Sequence, residues 1–150
     1  KKGAAIRLGH PLAPYLRGFI RYKNDITDVE LEDGADPIKF PVETVNGRTS
    51  SLTFTLEYDK RDDRISPQDG VYANTSLEYA GVGGDKEYTL TTATFRFYQK
   101  VFWDLVWRNN ISYGIITAPE GRRPPFDELF LLGGANSLRG YQFAQVGKKV

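Results

Sequence analysis

The chain has 150 residues, with 20 Lys and Arg against 19 Asp and Glu, a formal net charge of +1, no Cys and no Met. Near-neutral, interspersed charge gives no support to nucleic-acid binding, and the lack of Cys removes disulfides, thiolate metal sites and a Cys nucleophile together. No apolar run of about 18 residues occurs, which excludes a transmembrane helix and an intact leading signal peptide. The missing Met leads us to read the chain as a piece of a longer protein rather than a processed product. A membrane β-strand escapes the helix test. It needs only about 9–11 residues, apolar at alternate positions, so the mean hydropathy of −0.45 decides little.

In chain order, alternation rather than helical periodicity recurs. Residues 3–9 form a short, Gly-flanked strand. Residues 15–24 place Leu16, Gly18, Ile20 and Tyr22 opposite Arg17, Phe19, Arg21 and Lys23, an apolar outer face against a mostly cationic inner one. Residues 51–60 alternate most regularly, with Leu52, Phe54, Leu56 and Tyr58 on one face and Ser51, Thr53, Thr55, Glu57 and Asp59 on the other. Residues 70–80 set Val71, Ala73, Thr75, Leu77 and Tyr79 against Tyr72, Asn74, Ser76 and Glu78. Residues 88–99 are rich in Thr and aromatics and show no clean face. Residues 104–117 carry Leu105, Trp107, Ile111, Tyr113 and Ile115 on one parity, interrupted by Asn109.

The connections alternate too. Residues 11–14, 61–69 and 100–103 make short turns, whereas residues 25–48 form a long acidic loop, 81–87 a Gly-rich one, and everything after Ala118 a long one. Short turns at one end and longer loops at the other are the mark of an outer-membrane barrel. Aromatics such as Tyr15, Tyr58, Tyr79, Trp103 and Trp107 fall near the expected strand ends, as interfacial girdles require. A soluble antiparallel sheet also alternates apolar and polar residues, so the pattern alone leaves both readings open.

The stretch Leu131-Leu132-Gly133-Gly134-Ala135-Asn136-Ser137-Leu138-Arg139-Gly140-Tyr141 sets one cation among flexible and apolar residues. A guanidinium is always protonated and presents a rigid fork of donors, so Arg139 on a loop folded back into protein needs a carboxylate or several carbonyls. Gly140 frees the backbone at the bend, and Tyr141 offers a flat apolar body with a polar tip. This arrangement resembles the signature of the BamA-type outer-membrane assembly and transport superfamily, whose sixth extracellular loop carries a similar Arg-Gly-aromatic tip after a Gly-Gly pair. Asp59, Arg61 and Asp62, followed by Pro67 and Gly70, resemble the family's Asp-rich periplasmic turn.

The resemblance implies an all-β antiparallel meander, six strands over residues 1–117 of a sixteen-stranded transmembrane barrel, with residues 118–150 starting the lumen-folded sixth loop. It implies no enzyme chemistry, cofactor or metal. It implies a parent that inserts and folds barrel proteins in the outer membrane of a Gram-negative bacterium or an endosymbiont-derived organelle. The implied partners are outer-membrane lipid, unfolded outer-membrane protein clients and, through periplasmic domains, assembly-complex lipoproteins. In the implied mechanism Arg139 clamps to an acid on the inner wall that lies outside this chain. Two-partner secretion and autotransporter-assembly pores share the tip motif; the Asp-rich turn and the Phe126-x-x-x-Phe130 approach to the Gly pair favour the assembly factor. From other classes, the rivals are a soluble β-domain that binds carbohydrate and a passive porin or adhesin.

Other features read plainly. The acidic residues of the 25–43 loop lack calcium-loop spacing, so that loop is expected to be solvated. Asp59, Asp62 and Asp63 are expected to cap a turn beside Arg61 and Arg64. His10 is the single histidine, which makes a zinc site or a Ser-His-Asp triad implausible. Glycines 81, 83 and 84 precede no helix or Lys-Ser/Thr pair, so a hairpin loop is expected there.

Overall fold

The structure, a computed structural model, describes residues 1–29, 46–130 and 139–141. Six strands follow one another: β1 (Lys2–Ala13), β2 (Leu16–Thr27), β3 (Gly47–Arg61), β4 (Gly70–Ala80), β5 (Tyr88–Phe102) and β6 (Leu105–Thr117). Sequence neighbours pair antiparallel in the order β1-β2-β3-β4-β5-β6, so the sheet is an open meander with β1 and β6 at its edges. A short 3₁₀ turn at Phe126–Glu128 follows.

Strand pairing carries the backbone further than local alternation suggests. The strand expected at residues 3–9 runs on to Ala13, and Tyr15, expected to open the second strand, instead sits in a tight turn with φ +66°. The proline at position 11 is tolerated because it sits beside the turn, where the register shifts between Pro11 and Ala13. Likewise the turn expected at 100–103 contracts to Trp103 and Asp104, with Trp103 at φ +51° and a register shift between Lys100 and Phe102. β3 begins before residue 51, and β2 continues through Asp25 to pair Thr27 with Gly47. The 81–87 connection lies along this extension: the amides of Asp85 and Gly81 donate to the carbonyls of Arg48 and Ser50 at 2.8 and 3.1 Å. The Arg48 amide donates to Asp85 Oδ2 at 2.8 Å. These bonds satisfy backbone groups that would otherwise be orphaned.

The registers turn six local alternations into two continuous faces. Leu8, Ile20, Phe54, Leu77, Thr91 and Ile115 form one row across all six strands. Three residues along each strand, Pro11, Arg17, Glu57, Asn74, Thr94 and Ser112 form a row on the opposite face. Pairing also resolves β5, which had no clean face by itself: Thr89, Thr91, Ala93, Phe95 and Phe97 join the apolar face, and Thr92, Thr94, Arg96 and Tyr98 the polar one. Phe19, the aromatic among cations in β2, lies on the polar face against Gly9, with the Arg7 guanidinium 4.0 Å from its ring centre.

The sheet has no apolar core of its own. Among the described residues Ala80 and Tyr88 are the buried hydrophobic side chains, while Ile20, Phe54 and Leu77 at the middle of the apolar face stay 46–50% exposed. An apolar face this extensive demands an apolar neighbour or solvent.

Candidate functional site

The turn between β3 and β4 is built by short carboxylates. Asp62 Oδ1 accepts from the amides of Asp63, Gln68 and Asp69 at 2.8, 3.0 and 3.2 Å, and Asp63 Oδ1 from those of Ile65 and Ser66 at 2.6 and 3.1 Å. These amide donors hold both carboxyls below the ordinary carboxylate range. Asp59 receives the Arg61 fork, Nε to Oδ1 at 2.8 Å and Nη2 to Oδ2 at 3.0 Å, and Arg64 Nε stands 3.4 Å from Oδ2. Pro67 is buried. Gly70 has φ +108°, and a Cβ there would run into the Lys60 carbonyl, so the entry to β4 accepts only glycine.

A second constellation occupies the polar face near the long-connection end. Lys23 on β2 reaches across β3 to Glu78 on β4, Nζ to Oε1 at 2.9 Å. The buried Tyr88 hydroxyl donates to the same Oε1 at 3.2 Å. Lys23 Nζ also lies 3.7 Å from Glu128 Oε1, and Lys86 Nζ 3.9 Å from Asp127 Oδ1. Burial lowers the affinity of the Lys86 ammonium for its proton, and Asp127 opposite offsets part of that. Arg122 pairs with Glu87 at 3.2 Å, and the Phe130 ring lies against Gly114 so closely that a Cβ would enter it. The segment after β6 therefore folds back onto the polar face, held by ion pairs to β2 and to the 81–87 connection and by ring contact with β6. Lys23 and Glu78 were each readable as polar-face residues; their meeting, and the capture of Glu128, depends on pairing partners far apart in sequence.

At the loop tip Arg139 and Gly140 form a turn, Gly140 with φ +95°, and Arg139 and Tyr141 are exposed. Gly133, Gly134 and Leu138 lie outside the described residues, as does most of the acidic loop expected after β2.

The model of the Omp85 superfamily domain matches residues 1–150. The chain belongs to the Omp85 superfamily. Within it, the chain is 30% identical over 132 residues to a SAM50-like protein of Drosophila melanogaster, covering 87% of this chain and 30% of that protein. It is 30% identical over 122 residues to the Sorting and assembly machinery component 50 homolog B of Xenopus laevis, covering 79% of this chain and 26% of that one. BamA from Haemophilus ducreyi, in a crystal structure lacking POTRA domains 1–3, superposes with a TM-score of 0.75 at 24% identity, covering 97% of this chain and 30% of that chain. This Omp85 chain thus spans less than a third of the length of those relatives. Its open six-stranded sheet is similar to part of the BamA barrel, with the fold-back segment and the Asp-rich turn at opposite ends of the wall.

Proposed function

We propose that the parent is a non-enzymatic assembly factor that inserts and folds β-barrel proteins in an outer membrane, and that this chain supplies part of its wall and the start of its plug loop. The observation that carries the reading is the Lys23–Glu78–Glu128 cluster, which fastens the segment after β6 to the polar face of a sheet whose other face is apolar and uncovered. In this reading the apolar face meets lipid, the polar face lines the lumen, and the six strands are the sixth through eleventh of a sixteen-stranded barrel. Arg139 then reaches an acid on the lumen wall contributed by the rest of the parent, and the pair ties the loop to one state of the barrel. The lack of a sealed apolar centre among the described residues weighs against a soluble carbohydrate-binding module.

The animal sources of the SAM50 relatives favour an organelle of bacterial descent over a bacterial cell as the location. Clients are unfolded barrel proteins, and lipoprotein or other partners act through domains beyond this chain. Reconstituted in liposomes, the full-length parent is expected to accelerate insertion of a urea-unfolded barrel client and to migrate differently on a gel when unheated. Insertion no faster than into empty liposomes would sink the assembly reading, and recovery without detergent would favour the soluble module.

A further inference from the structure

At the short-turn end, the polar face gathers guanidiniums away from the described part of the fold-back segment. The registers set Asp59, Tyr72, Arg96 and Asn110 in one row and Arg61, Gly70, Tyr98 and Arg108 in the next. From these rows Arg61, Arg96, Tyr98, Arg108 and Asn110, with Arg64 from the turn, line a cavity of about 260 Å³. Its lining holds four guanidiniums and, among the described residues, no carboxylate; the neighbouring Asp59 is already taken by Arg61 and Arg64. Arg61 and Arg96 lie 4.8 and 5.5 Å from the Tyr72 ring centre, within cation–π reach. Arg96 Nε is buried with no hydrogen-bond partner, and among the described residues neither Arg96 nor Arg108 forms an ion pair with a carboxylate.

A buried donor of a charged group left unpaired is costly, and convergent guanidinium forks match the oxygens of a carboxylate or phosphate. We infer that this cavity is an oxyanion-binding site at the short-turn end of the wall, seated on Arg96 and Arg108 with Arg64 at its rim and the Asn110 amide as a neutral donor. It takes a carboxylate or phosphate group. The Asp59–Arg61 pair serves as its scaffold, holding the Arg61 guanidinium at the cavity wall while Arg96 and Arg108 keep their charge for the ligand. This inference goes beyond client assembly and is measured without any client.

The test uses the full-length parent in detergent at low ionic strength, titrated separately with a tetraglutamate peptide and with inorganic pyrophosphate, followed by calorimetry. Saturable binding is expected, weakened at least tenfold in Arg96→Gln and in Arg108→Gln, unchanged in Arg21→Gln elsewhere on the same face, and weaker as salt is added. Binding of the peptide alone assigns a carboxylate ligand and binding of pyrophosphate alone a phosphate one; either supports the site. No saturable binding of either probe overturns it, as does equal affinity in the two variants. Arg108 is exposed, so Arg108→Gln keeps the test decisive if Arg96→Gln loses its unheated gel mobility.

Discussion

Lys23 Nζ and Glu78 Oε1 stand 2.9 Å apart although their strands are not neighbours; the pair spans β3 above its small residues Ser51 and Thr53. Both side chains are nearly buried, at 12% and 14% exposure. Removing one partner leaves an uncompensated charge, which typically costs about 3–5 kcal/mol. Lys23→Met and Glu78→Gln are therefore each expected to lower the unfolding midpoint of the refolded parent, and the double variant to lose less than the two losses added. Additive losses in a double-mutant cycle would show that the two side chains do not act as a pair.

The tip and the root of the loop are expected to respond differently. Arg122 pairs with Glu87 in the open, where an ion pair is worth about 0–1 kcal/mol. Arg139→Ala should impair client insertion by the parent far more than Arg122→Ala or Arg123→Ala. Equal, mild effects of all three on insertion rate would count against the clamp.

Gly114 is the seat of Phe130. Adding a side chain there overpacks the contact, at about 1–3 kcal/mol, and should lift the segment after β6 from the wall. Gly114→Leu is expected to speed proteolytic cleavage within residues 118–130 of the reconstituted parent, and Phe130→Ala to do the same from the other side. Combining the two should add little, because both remove one contact. A Gly114→Leu protein cut at the unaltered rate would mean that the ring contact does not hold the segment.

The turn of Asp62 and Asp63 carries a pH signature. Amide donors lower both carboxyl pKa values in the folded state. A depressed folded pKa gives stability that is fully present above the unfolded value of about 3.9 and lost as pH falls through the folded value. Amide exchange at Gln68 and Asp69 should therefore stay slow from neutral pH down to about pH 5, after correction for intrinsic rates, and quicken only in acid below about 3.9. Asp62→Ala should exchange fast at every pH. Opening of the wild-type turn near pH 6 would contradict the assignment.

The outlines of all six strands, both faces of β2, β3 and β4, and the short and long ends were legible in the residues, because side-chain alternation and turn chemistry are local properties. The face of β5 was not, since Thr and aromatics occur on both parities of that strand and only its registers with β4 and β6 decide which side faces which. The ends of β1 and β5 were misplaced for a related reason: register shifts beside their turns let Pro11 and Lys100 stay within strands that composition would have stopped. The motif around Arg139 named the family from sequence alone, yet the contacts that fasten its loop join residues 23, 78, 86, 114, 127, 128 and 130. No spacing along the chain encodes that meeting. It follows from strand order and register, which bring distant charges within ionic reach, and from a glycine whose missing side chain leaves room for a ring.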